Sequence, residues 1–415
     1  MSKLIKVSVA AAVLCLAKPA FPQTIFDAGA WTEFYTFKVP DQDNQQVRSL
    51  QGLRLRASNV GTPGLSFFLR GRVLSDLSEK LASDPDFRIF GAYAEYKRRD
   101  LLMLRVGRQF VSAGIGGFTM DGGRIDLFPV NVVKLTAFAG GLPGPSFYKY
   151  DRIAQWDDRN AIGGQLQYNG FKEFRPSISY LQRSSNNDLV MQAGGFDVAI
   201  KTGPYSEWAG LDYDFLFKHL RSGVSRTGIE FQGGHRAEFE YFYRRPSLDL
   251  SNVFSVFKNE PFHQVRLSPT YRINKKVLAQ GSMSYTIFED DENTRISLGG
   301  SYDGQSAGVV YSAGYAGTRL GIYSFLFYDL VQQLRVYLNA DMYNYKLDTE
   351  VDDTTPSVAT SFGALFGVFR GVSSRAELQL LSNRDFKYDT RFYFKIGYNF
   401  NSRSRTSGSG GGLYR

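Results

Sequence analysis

The sequence predicts an all-β chain, a transmembrane, antiparallel, up-and-down β-barrel of about 18–22 strands with 22 the best tally. Three observations predict it. Apolar and polar residues alternate with a period of two in one segment after another, the spacing of a strand with one oily and one wet face. These segments run to about 9–12 residues, which suits tilted strands crossing a bilayer. The connections between them alternate short and long along the chain.

The chain opens with Lys3 and Lys6, an apolar run from Val7 to Ala17, then Lys18 and Pro19. That order predicts a secretory signal peptide over residues 1–23, too short to span a bilayer as a helix. The single cysteine, Cys15, lies inside it, and the preceding Val13-Leu14 lacks the small residue a lipoprotein signal needs. The exported chain therefore has no thiol for a disulfide, a thiolate metal site or covalently attached haem, and no cofactor is expected. The net charge of +9 is dispersed rather than clustered, which argues against nucleic acid as a partner. No linker or low-complexity insert divides residues 24–400, so these form one barrel unit, and 401–415 (NSRSRTSGSGGGLYR) form a flexible tail.

Within that unit, GLRLRAS (52–58) sets Leu53, Leu55 and Ala57 against Arg54 and Arg56. LSFFLRGRV (65–73) sets Leu65, Phe67, Leu69 and Val73 against Ser66, Arg70 and Arg72. RAEFEYFYR (236–244) and LRVYLNADM (334–342) repeat the pattern. About twenty such segments without a linker exceed what a soluble sandwich contains before a new domain begins. Segments near 120–128 and 225–232 look short, and Pro176 and Pro269 fall inside strands, where proline is disfavoured. Short connections such as 98–100, 274–275 and 331–333 are expected on the periplasmic side, and long ones such as 141–160 and 347–358 outside.

The last segment, RFYFKIGYNF (391–400), puts Phe394, Ile396, Tyr398 and Phe400 on one face. It resembles the C-terminal signature of Gram-negative outer-membrane proteins. The resemblance implies a porin-type barrel in the outer membrane, with these four residues read by the barrel-insertion machinery. The tail departs from that pattern, since most such chains stop at the terminal aromatic. LLMLRVGRQFVSAGIGGFTMDGGRIDL (101–127) resembles the Gly-Arg-Gln strand ending of many porins. With Asp121, Gly122 and Arg124 it is similar to alginate-export-type channels, which implies luminal roles for Arg105 and Arg124. Arg108 falls on the oily parity, so it is expected at the membrane rim or after a bulge.

The expected function is a channel for passive diffusion of small hydrophilic solutes, with a weak anion preference. Arg54, Arg56, Arg70, Arg72, Arg105, Arg124, Arg266, Arg272, Arg295 and Arg335 share the polar parity and are the candidate pore-lining residues. Acids on the same parity, among them Glu238, Glu240, Asp126 and Asp341, keep the preference modest. The alternative is a barrel that sheathes a multihaem cytochrome in a transmembrane electron conduit, because an unfilled barrel of 20–22 strands would leak. No enzyme is expected. GQSAG (304–308) matches a nucleophile elbow in letters but falls at a hairpin turn, and His219, His235 and His263 are isolated. Outer-membrane lipid and lipopolysaccharide are the other partners, and loop acids such as Glu289 to Glu292 are of the kind that hold bridging divalent ions.

Overall fold

The computed structural model describes residues 24–38, 45–78, 84–143, 153–245, 260–315, 317–346, 354–384 and 387–402. The segment read as a signal peptide and the tail from 403 onward lie outside them, as do residues 347–353 of the loop expected at 347–358. The chain forms one antiparallel sheet of 22 strands, β1 (Ile25–Lys38) to β22 (Asp389–Asn401), each of nine to fifteen residues. Sequence neighbours pair throughout, and β1 also pairs with β22 from Asp27↔Asn401 to Tyr35↔Tyr393. The sheet therefore closes on itself through the β1–β22 seam, as a sheet standing in hydrocarbon must.

Pairing register divides the side chains between two faces. In β2 (Gln45–Ser58) and β3 (Leu65–Asp76), Leu55 stands opposite Leu69, and Arg54 opposite Arg70. The apolar face is open around the barrel: Ile178, Leu298 and Phe362 are 55%, 59% and 57% exposed. Side chains of that size, so exposed in a continuous band, need lipid rather than water as their solvent.

Both segments that look short are full strands, β6 (Gly117–Val130) and β12 (His219–Glu230), which brings the count to 22. Pro176 lies near the start of β9 (Phe174–Ser185), opposite Val198. Pro269 lies in β14 (Phe262–Arg272), where pairing with β15 (Val277–Ile287) passes from Leu267↔Met283 to Thr270↔Gln280. The proline thus falls in an interruption of the ladder, where its missing N–H costs least. GQSAG spans a tight turn: Asp303 and Gly304 have φ of 49° and 88°, and Ser306 pairs with Ser301 and Phe325 in the sheet. Among the described residues the element that follows is β18 (Thr318–Val331), a strand and not a helix, so this serine does not sit on a strand-to-helix elbow.

The alternation of connection lengths holds only in part. The end of the barrel that carries 142–158 and 245–261 also carries a two-residue turn, Asn186 (φ 51°) and Asn187 (φ 67°), and a four-residue link at 113–116. The asparagines occupy the left-handed region that such tight turns require.

The closing seam sets bulky against small residues: Phe400 stands opposite Ala28, Tyr398 opposite Ala30 and Ile396 opposite Thr32. Ile396 lies midway along β22 on the apolar face. Ile396→Arg is expected to destabilise the barrel by about 2–4 kcal/mol, and a charge at Phe400, near the strand end, by about 0–1 kcal/mol. Urea unfolding of the barrel in lipid measures both. Equal losses at the two positions would contradict the assigned depth.

Candidate functional site

The strand pair most unlike the rest is β5 (Leu102–Ser112) with β6. Pairing of β4 (Asp86–Arg98) with β5 stops at Ala92↔Arg108, although both strands continue. Pairing of β6 with β7 (Val133–Gly141) stops at Asp121↔Gly141, although β6 begins at Gly117. Between these limits β5 and β6 pair only with each other, as far as Ser112↔Gly117. Residues 109–120 therefore leave the wall as a hairpin.

Its tip shows where it goes. A Cβ built on Gly114 would lie 2.1 Å from Ser179 Oγ, and one on Gly195 would lie 2.9 Å from Ile115 Cγ1. Ser179 is on β9 and Gly195 on β10 (Asp188–Thr202), three to five strands along the sheet. A hairpin rooted between β4 and β7 reaches them across the concave side, so the hairpin lies inside the barrel. Val111, Ala113, Ile115 and Met120 are buried there against Phe138, Ala161, Leu181 and Ala193 of β7 to β10. Each large side chain so buried contributes about 1.5–3 kcal/mol. Phe118 meets Phe138 edge-on at 5.7 Å, and the Arg183 guanidinium covers Phe118 at 4.7 Å. On the opposite face of the hairpin Phe110 is 60% exposed, directed at the open lumen.

The sequence makes this departure possible at its base. Gly107 has φ of 121°, and a Cβ there would strike the Ala92 carbonyl at 2.3 Å. Gly122 approaches β7 so closely that a Cβ would lie 2.1 Å from the Ala139 oxygen. Neither place admits a side chain. The buried Gln109 amide donates to the carbonyls of Arg105 and Gly122, at the level where the strands diverge.

Arg108 and Asp121 clamp the base. Arg108 Nε and Nη2 each donate to an Asp121 oxygen at 2.6 Å, and Nη1 donates to the Ile89 carbonyl at 3.1 Å. The Ala154 backbone N–H donates to the same Asp121 carboxylate at 2.6 Å. Four chain segments meet at this pair, and Arg108 is buried. Of the two places its parity allows, burial excludes the rim, and Arg108 follows the irregular Gly107 at the point where the hairpin turns inward.

Cross-strand partners place all ten candidate arginines on the face that carries Leu181 and Ala193, the inner face. Six of them are ion-paired. Arg54 meets Asp27 at 3.1 Å, and Arg56 and Arg105 share Glu95. Arg124 meets Asp126 at 3.0 Å, Arg266 meets Glu240 at 3.6 Å and Arg335 meets Asp329 at 2.6 Å. Arg70, Arg72, Arg272 and Arg295 have no ion pair among the described residues. Arg72 lies over the Phe90 ring at 5.1 Å, and its buried Nε lacks a partner. The arginines are thus spread around the wall and largely neutralised, while the hairpin and its clamp supply a structural feature that parity alone does not show.

Phe394, Ile396, Tyr398 and Phe400 all lie on the outer face of β22, in the seam with β1. Tyr337, Arg375 and Glu377 form a further inner-face network, with Tyr337 and Arg375 both donating to Glu377. Its members come from β19 (Leu334–Lys346) and β21 (Val372–Ser382), so sequence spacing gives no sign of it.

No protein-family model and no curated protein matches the chain. Among solved structures, the P pilus usher (PapC) translocation pore is similar at a TM-score of 0.52 and 8% identity, over 90% of this chain and 99% of that one. The crystal structure of Acinetobacter baumannii OccAB2 matches at a TM-score of 0.47 and 11% identity, over 93% of this chain and 100% of that one. A BenF-like porin from Pseudomonas fluorescens Pf-5 matches at 0.45 and 8% identity, over 91% of this chain and 99% of that one. None of these supports the alginate-type similarity. In fold, the chain is a closed antiparallel β-barrel of 22 strands, similar in architecture to the usher translocation pore, with a hairpin of its own wall lying inside it.

Proposed function

We propose that this protein is an outer-membrane channel through which small hydrophilic solutes diffuse passively, with a weak preference for anions. The observation that carries the reading is the inner hairpin. It packs on one sector, β7 to β10, and so narrows the lumen of a wide barrel without spanning it. A closed 22-stranded wall with a polar inner face is otherwise a large hole, and a narrowing of this kind turns it into a sieve. The hairpin also takes up space that a sheathed cytochrome would need, which favours the channel over that alternative. Short turns such as 303–304 and 332–333 face the periplasm in this reading, and the end bearing 142–158 faces outward.

The anion preference rests on the unpaired arginines. Arg70 and Arg72 lie on β3 beside Arg54 and Arg88, so positive charge exceeds negative over that patch. Arg70→Glu with Arg72→Glu is expected to move the reversal potential in asymmetric salt towards cation selectivity. Arg105→Glu is expected to do less to selectivity, because Glu95 already neutralises Arg105. An unchanged reversal potential with conductance intact would remove β3 from the conducting path. A folded wild-type barrel without conductance would favour the sheath.

A further inference from the structure

We propose that the contact between the hairpin tip and β9–β11 is a binding site for a divalent cation, calcium in preference to magnesium. It goes beyond the channel reading and rests on the position of the hairpin alone. β11 (Tyr205–Asp214) pairs with β10 so that Asp197 stands opposite Gly210 and Asp212 opposite Gly195. Each carboxylate thus faces a residue without a side chain, which leaves a notch on the inner face. Asp197 accepts one hydrogen bond, from Ser177 Oγ at 3.3 Å, and Asp212 accepts one from Ser222 Oγ at 2.7 Å. Neither has an ion pair among the described residues. Of the basic side chains on the neighbouring strands, Arg226 is engaged with Glu238 and Glu240, Arg221 with the Met191 sulfur and Arg183 over Phe118, and Arg175, opposite Ala199, makes no ion pair with either carboxylate among the described residues.

An independent observation points to a ligand. Ser179 is only 8% exposed, and its hydroxyl has no hydrogen-bond partner. That hydroxyl lies 2.7 Å from the point where a Gly195 Cβ would stand, and Asp212 Oδ1 lies 2.9 Å from the same point. It also lies 2.1 Å from the corresponding point on Gly114, with Asp197 Oδ2 at 3.2 Å from it. A buried orphan hydroxyl and two uncompensated carboxylates therefore converge under the tip. Native structures leave few buried polar atoms without a partner.

The donors are all oxygen, two of them anionic, which selects a hard cation. The donors come from separate strands, a loose arrangement suited to the flexible coordination of calcium more than to the strict octahedron of magnesium, with water completing the shell. Two carboxylates give an affinity of about 0.1–1 mM, as in weak extracellular sites. A bound ion would neutralise the acids that the tip packs against and hold the tip to the wall.

The test is calcium titration of the purified full-length barrel in detergent by calorimetry, with magnesium, potassium and hexylammonium as alternative cations. Wild type is expected to bind one calcium, magnesium more weakly, and the other two without saturation. Asp197→Asn with Asp212→Asn is expected to abolish binding, and Ser179→Ala to weaken it about tenfold. Heat-modifiable migration confirms that each variant is folded. Should the double variant not fold, Ser179→Ala, which removes one oxygen and no charge, decides the matter. Equal calcium binding by wild type and Ser179→Ala, or hexylammonium binding as tight as calcium, would overturn the proposal.

Discussion

Replacing residues 110–119 with a two-residue Asn-Gly turn is expected to raise single-channel conductance several-fold and to admit larger neutral solutes. The hairpin from Gln109 to Met120 pairs with neither β4 nor β7, so the wall ladders remain whole when it is cut back. Asn-Gly supplies the two left-handed residues that a short turn needs. Its removal also exposes Phe138, Ala161, Leu181 and Ala193, now buried beneath it, to the lumen. Some stability is lost with those contacts, but barrel closure between β1 and β22 is untouched. Planar-bilayer conductance and liposome swelling with sugars of graded size measure the effect. Unchanged conductance in a folded barrel would mean that the hairpin does not set the bore.

Arg108→Ala is expected to cost about 3–5 kcal/mol, because it leaves the Asp121 carboxylate buried and unpaired. Asp121→Ala should cost a similar amount and also release the Ala154 backbone. The double variant should lose much less than the sum, since neither charge is then stranded. Arg108→Lys should fall between, because an ammonium cannot reproduce the paired donation to both oxygens together with the bond to Ile89. Urea unfolding in lipid is the measurement. An Arg108 at the water-exposed rim would instead cost less than about 1 kcal/mol, as exposed ion pairs do.

The barrel was legible because its rule is local. The alternation of Leu53, Leu55 and Ala57 with Arg54 and Arg56 needs only neighbours in sequence, and closure follows from where the last strand must go. The charge state of the wall was not legible in the same way. Glu95 compensates both Arg56 and Arg105 from an intervening strand, so an arginine count overstates the positive field. The hairpin left one trace, Arg108 on the wrong parity beside Gly107. Its destination depends on where two ladders stop and on Ser179, some 65 residues away in sequence, and no period reports such a contact. Pro176 and Pro269 misled for a related reason: a proline is costly only where the ladder needs its N–H, and Pro269 lies where the ladder lapses.

The narrowed lumen requires the hairpin tip to lie against the inner wall. Ile115→Cys with Gly195→Cys tests that directly, because Ile115 Cγ1 lies 2.9 Å from where a Cβ on residue 195 would stand, within the reach of a disulfide. Cys15, the only native cysteine, falls in the predicted signal segment. The measurement is the fraction of outer-membrane barrel carrying this disulfide, by mass spectrometry of peptides under mild oxidation. Near-complete bond formation, with conductance equal before and after reduction, is the predicted result. Two cysteines that stay reduced and freely alkylated in a folded barrel would contradict the account.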